Sequence, residues 1–298
     1  MAVSDKDFVF KMVSDEIQRR MSTNTLPWRK PWSLSGGSHQ QAVSWVSGKP
    51  YNGINRILLD AGEYATFKAI SQAGGRVNKG AKGTTVVYWK IIPRTVTEED
   101  GTQRTVRTPY LRYYTVFNIE TQTTGLELRW TGGEVVRNVR PSLIAADVVR
   151  LMANKPTIQH GRGDADYSPS LDRVQIASPS NFRNPESYHS TLFHQLVHST
   201  GHAARLNRPT VADNPAFGTD PYSREELVAE IGASMLVAMC GMDFRRTMDN
   251  SVAYIQHWLQ YLRNDPRAMV LATAQAEKAV RYILSMDALE DDVEISED

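Results

Sequence analysis

Two histidines four residues apart, His194 and His198, constrain this chain more than any other feature. They lie in the stretch TLFHQLVHSTGH, residues 191–202. Residues at i and i+4 share one face of a helix, about a turn apart. Two imidazoles placed that way can grip one metal ion. Pro185 suits the start of such a helix and Gly201 its end. One helix supplies only two donors, so a second element must fold against it.

The pair is the core of H-E-x-x-H, in which two helical histidines bind zinc and the glutamate is the general base of a metallopeptidase. Here the glutamate position holds Gln195. Catalytic zinc sites use three protein ligands and keep a fourth position for water. The predicted helix 223–241, SREELVAEIGASMLVAMCG, offers Glu226 and Glu230, again at i and i+4. Glu226 is expected as third ligand, with Glu230 accepting a hydrogen bond from a ligand histidine, or the two exchange roles. Glu225 is expected to point elsewhere, and Ser223 with Glu226 reads as a capping box. His202 is a rival ligand one turn on, but Gly201 should end the helix before it. Glutamine has the shape of glutamate without its proton-accepting carboxylate, and general-base help is worth about 10²–10⁴-fold. The site should hold metal and hydrolyse poorly or not at all. It is then either a natural binding pocket or the Glu→Gln form of an active protein.

The 298 residues allow two ordinary domains, and a 41% hydrophobic fraction supports packed cores. No run of 18 apolar residues is present to span a membrane, and the N-terminus lacks the apolar core of a secretory signal. The one cysteine, Cys240, has no internal disulfide partner. A cytoplasmic protein with no membrane partner is the expectation.

The net charge of +1 hides an asymmetry. Residues 1–125 carry 17 Lys/Arg against 10 Asp/Glu, and the remainder 17 against 23. A basic half suggests a polyanion such as nucleic acid, although an unevenly charged solvated surface gives the same count. In LPWRKPWSLSGG, residues 26–37, Trp28 and Trp32 bracket Arg29 and Lys30. Rings stack on bases while cations meet phosphates, which suits single-strand binding. The same tryptophans would serve to anchor a proline-rich loop on a core. KGAKG brings Lys79 and Lys82 together with two glycines, easing backbone approach to a phosphate. LRYYTVFNIETQT predicts a strand whose Tyr113 could stack a base or pack the sheet.

Periodicity predicts a helix over 5–22 with Phe8, Met12, Ile17 and Met21 on one side, and one helix or two over 56–75. A strand is expected at VVYWKII, and a polar hairpin tip over 94–109. After Pro141 a helix should bury Leu143, Val148, Leu151 and Met152. Short strands are expected at KPTIQH and DRVQIAS, around the loop GRGDADYSPS.

These pieces together resemble a known family. DADYSPSLDRV (164–174), YHSTLFHQLVHSTGHAARLNR (188–208) and EELVAEIGASML (225–236) resemble the zincin-like domain of ArdC-type antirestriction proteins of conjugative plasmids. PWRKPW (27–32), GKPYNGINRILL (48–59), GGRVNKGAKGTTVVYWK (74–90) and YYTVFNIETQT (113–123) resemble the single-stranded-DNA-binding domain those proteins share with TraC-type primases. The resemblance implies a two-domain α+β protein. Residues 1–125 would be a basic mixed α/β domain for single-stranded DNA, with duplex DNA bound more weakly. Residues 126–140 would be a linker, and 141–298 a mostly helical zincin-like metallopeptidase domain with an acidic tail. It implies protection of incoming plasmid DNA from host restriction enzymes. It also implies one divalent metal, Zn(II) by preference with Mn(II) as the alternative, on two histidines and a glutamate. Gln195 departs from the family pattern. The alternative function is a DNA-targeted metalloprotease that cleaves a host protein, here in an inactive Glu-to-Gln form.

Overall fold

The structure is a computed structural model describing residues 5–22, 26–28, 41–97, 103–130, 141–161, 163–212, 220–242 and 252–286. Its elements in chain order are α1 (Asp5–Met21), β1 (Ala42–Ser44), α2 (Ile54–Leu58), β2 (Gly62–Thr66), α3 (Phe67–Gln72), β3 (Arg76–Val77), β4 (Thr84–Thr97), β5 (Gln103–Asn118), α4 (Ile119–Gln122) and β6 (Thr123–Thr124). The C-terminal half follows with α5 (Pro141–Leu151), β7 (Thr157–His160), β8 (Asp166–Ser168), β9 (Arg173–Ile176), α6 (Pro185–Ser199), α7 (Pro209–Ala212), α8 (Asp220–Met239), α9 (Val252–Asn264) and α10 (Ala268–Ile283). It is an α+β protein. Among the described residues no helix is long and apolar enough to cross a membrane.

The N-terminal sheet runs β1-β2-β5-β4, with β1 parallel to β2 and the other pairs antiparallel. Strand β2 meets β5 only at Val116–Asn118, whereas β4 and β5 pair from Thr84↔Val116 out to Thr97↔Gln103. Beyond that base the hairpin is a two-stranded ribbon among the described residues, about 40 Å long at about 3.3 Å per residue. The side-chain amide of Asn55 donates to the Val87 carbonyl and accepts from the Val87 N–H, each at 2.7 Å, and so occupies the free edge of β4. In the C-terminal half a small sheet, β7-β9-β8, lies beside α6 and leaves β8 at its edge.

One apolar core runs through both halves. Val9, Val13, Ile17 and Met21 of α1 recur every fourth residue and pack with Leu26, Trp28 and Ile57 into the cluster that also holds α6, α8 and α10. Ser14 Oγ donates to the Leu262 carbonyl at 3.2 Å. Glu277 of α10 accepts from the Gly53 N–H at 2.6 Å, with Arg56 Nε 3.8 Å from its other oxygen. Gly53 sits at φ +57°, a left-handed conformation that favours glycine and aims this N–H at the carboxylate. Removing a buried acceptor strands its donor, at a cost of about 1–3 kcal/mol. Glu277→Ala is expected to lower stability by that amount in chemical denaturation. An unchanged midpoint would show that the clasp contributes nothing.

Several local expectations change. The segment 56–75, expected as one helix or two, holds the end of α2 and all of α3 with the unexpected strand β2 between them, because Glu63 and its neighbours are claimed by strand partners distant in sequence. The fully buried Glu63 carboxylate accepts from the backbone N–H groups of Arg129 and Trp130. The ladder also runs through most of the expected polar tip. Residues 126–130, expected as linker, are fastened to the N-terminal sheet. Leu126 and Leu128 pack on the Trp45–Ile70 cluster, and Arg129 stacks 3.5 Å over the Trp45 ring. Of the stripe expected after Pro141, Met152 is buried and Val148 packs against the core, whereas Leu143 and Leu151 are exposed and Ala145 is the buried residue within α5. The loop 161–170 contains β8.

Candidate metal centre

Helix α6 starts on Asn184, whose side chain accepts from the Ser187 N–H at 2.7 Å. It ends at Ser199, two residues before Gly201, where a Cβ would come within 2.5 Å of Val211. His202 therefore leaves the helical face, and its Nδ1 accepts the Ala204 N–H at 3.1 Å. Helix α8 begins at Asp220, a turn before the expected start, so Ser223 lies inside the helix and Glu226 is not a cap. Glu226 instead faces α6.

His194, His198 and Glu226 present their donors to one point. The two Nε2 atoms are 3.0 Å apart. Glu226 Oε2 is 3.3 Å from His194 Nε2, and its Oε1 is 3.4 Å from His198 Nε2. Two ligands about 2.0–2.1 Å from a tetrahedral zinc stand about 3.3 Å apart. The three donors fit such an ion. Two facing imidazole lone pairs beside a carboxylate also need a cation or proton between them.

A second set of carboxylates surrounds these donors. Glu230 Oε1 is 3.7 Å from His194 Nδ1, and Glu225 Oε1 is 3.3 Å from His198 Nδ1. Glu225 does not point elsewhere: it is buried and ion-paired with Arg208. Burial opposes a charge on His198, yet hydrogen bonds to Glu225 and Glu226 outweigh it and raise its pKa to about 9. Burial likewise opposes ionisation of Glu225, but His198 and Arg208 bring it down to about 2. Glu226 is held well below the usual range against burial by the two histidines. Burial and a hydrogen bond to Glu226 raise the Tyr222 hydroxyl to about 12. Glu225 and Glu226 stay ionised and call for positive charge beside them.

Gln195 is buried beside this cluster, and its Nε2 donates to the Ala165 carbonyl at 3.2 Å. Its amide ties α6 to the chain just before β8.

The residues expected to bind DNA divide three ways. Trp28 is 0% exposed and belongs to the shared core, so it anchors the chain and stacks on no base. Lys79 and Lys82 are exposed in the turn between β3 and β4, and Tyr113 is 48% exposed on β5. Arg29, Lys30 and Trp32 lie outside the described residues. Sequence reasoning missed Glu225, Arg208 and Tyr222 at the metal centre, and the exposed rings of Phe67 and Trp130. A second reading of EELVAE as a helix contacted on two sides would have caught Glu225. Nothing local marked Arg208.

Residues 8–117 match the N-terminal domain of anti-restriction factor ArdC, and residues 146–275 match a zincin-like metallopeptidase family. The Mn(II)-bound crystal structure of antirestriction ArdC from plasmid R388 superposes with TM-score 0.67 at 30% identity, covering 93% of this chain and 97% of that one. The chain belongs to the ArdC antirestriction family. The metal-free R388 ArdC structure gives the same TM-score at 29% identity. DNA primase TraC of Escherichia coli is 30% identical over 96% of this chain. The chain spans only 28% of that primase, so the ArdC-like part is a fraction of it. An uncharacterised protein of Sinorhizobium fredii, y4eC, is 28% identical over 92% of this chain and 91% of its own length.

Proposed function

We propose that this chain is an antirestriction protein that binds single-stranded DNA through residues 1–125 and holds one divalent metal at His194, His198 and Glu226. It acts in the cytoplasm, where it shields incoming plasmid DNA from host restriction enzymes. The convergence of the three donors carries the metal assignment. Two imidazoles and a carboxylate suit zinc, and the R388 relative held Mn(II), so the two ions are the candidates.

A metal in this position would supply a Lewis acid and an acidified water. The chain's own residues limit how far that chemistry goes. Gln195 has no proton acceptor and spends one amide hydrogen on Ala165, so the step that glutamate performs is missing. Glu230 stands behind His194, away from the open side of the ligands, and does not replace it. The centre is then a binding and cross-linking site between α6 and α8. DNA binding draws on the basic excess of residues 1–125 and on exposed rings, Phe67 and Tyr113 within it and Trp130 just beyond. Each base–ring stack is worth about 1–3 kcal/mol and tolerates any base.

The test compares the full chain with Gln195→Glu. Metal content and single-stranded DNA affinity should match, and affinity should fall about tenfold or more between 50 and 200 mM salt. Restriction protection should be equal in both proteins. If protection appears only in Gln195→Glu together with cleavage of a host protein, the DNA-targeted protease is the correct reading. DNA affinity indifferent to salt would remove the proposed interface.

A further inference from the structure

We infer that Glu225, held by Arg208, is the positioning residue that presents His198 to the metal. The inference rests on the metal site proposed for His194, His198 and Glu226. Both oxygens of Glu225 are fully used. Oε1 accepts from His198 Nδ1 at 3.3 Å and from Arg208 Nη2 at 2.6 Å. Oε2 accepts from Arg208 Nε at 3.0 Å and from Thr210 Oγ1 at 2.6 Å. Glu225 and Arg208 are each 4% exposed. Arg208 is itself fixed to the end of the metal helix, donating to Thr200 Oγ1 at 2.7 Å and to the Val197 carbonyl at 2.8 Å. The carboxylate therefore has one orientation, set by the loop that follows α6.

That orientation decides a tautomer. An acceptor at Nδ1 requires the proton there and leaves the Nε2 lone pair for a metal. Among the described residues His194 has no equivalent support. Its partner oxygen on Glu230 is 3.7 Å away, beyond hydrogen-bond range. The two histidines are thus unequal among the described contacts: Glu225 orients the His198 ring so that Nε2 is the atom free to give up its proton to a metal, and the Nδ1 of His194 lacks so close a carboxylate. Glu225 also differs from a purely structural ion pair, because one of its four donors is a metal ligand.

Zn(II) affinity, measured by competition with a chromophoric chelator, separates these roles. Glu225→Gln is expected to weaken binding about 10–100-fold, the usual effect of losing a group that orients a ligand. Glu230→Gln should weaken it less. Asp172→Asn is the control for mere loosening of the region, because Asp172 anchors Arg205 in the same loop at 2.7 Å without touching a ligand. It should lower thermal stability and leave affinity within about twofold. Nitrogen-15 histidine NMR of the zinc-loaded parent needs no variant, and there His198 should carry its proton on Nδ1 with Nε2 on the metal. A proton on Nε2, or Glu225→Gln affinity equal to that of the parent, overturns the inference and leaves the metal site standing. Equal zinc binding by the parent and His194→Ala removes the site itself and the inference with it.

Discussion

Trp28→Ala is expected to cost about 3–5 kcal/mol of folding stability, the range for truncating a buried tryptophan. The residue is 0% exposed and lies in the cluster that α1, α2 and the C-terminal helices share. A protein of ordinary stability, about 5–15 kcal/mol, would survive this loss only narrowly. The direct measurement is chemical denaturation of the full chain beside single-stranded DNA affinity in the cold. Stability should collapse while the folded fraction binds DNA within about twofold of the parent. The opposite result, unchanged stability with lost affinity, would return Trp28 to the DNA interface. The same core predicts that residues 1–125 alone fold poorly, since α1 and Trp28 would lose the C-terminal helices they pack on.

The second large effect is metal removal. An ion held by His194, His198 and Glu226, as proposed, would cross-link α6 to α8 and bind the folded state alone. At about a thousandfold excess over its dissociation constant it adds about 4 kcal/mol. At about 2–4 °C per kcal/mol, that is about 10 °C in melting temperature. Saturating Zn(II) should raise the melting temperature of the parent by this amount, and chelator should reverse it. His194→Ala should not respond. A parent indifferent to both treatments would mean that the cluster holds no ion.

The geometry of the candidate metal centre was largely legible because its signal is local. His194, His198, Glu226 and Glu230 sit on two helices at one-turn spacing, so sequence alone puts each pair on a common face. Which of Glu226 and Glu230 lies closer to the facing histidine nitrogens depends on how the two helices pack, which no spacing contains. Glu225 escaped for the same reason. It is about 100° round the helix from Glu226, and only the Arg208 loop makes that side of α8 an interior surface. The α+β class followed from the family resemblance of the two halves. The strand β2 did not, because its partners are claimed across the chain rather than along it. Trp28 shows the same limit in reverse. Aromatic rings beside cations describe an exposed nucleic-acid platform and a capped core equally well, and burial decides between them.

The hydrogen bond from Ser14 to the Leu262 carbonyl joins residues 248 positions apart. On a ribosome adding about 5–20 residues per second, α9 emerges about 12–50 s after α1. Throughout that interval the stripe of Val9, Val13, Ile17 and Met21 has only N-terminal partners such as Leu26, Trp28 and Ile57, and the side that the C-terminal helices cover stays open. Synthesis therefore cannot complete the N-terminal unit first and the C-terminal one second. The nascent chain must carry an apolar helix, open to chaperones and to aggregation, until its last helices close over it.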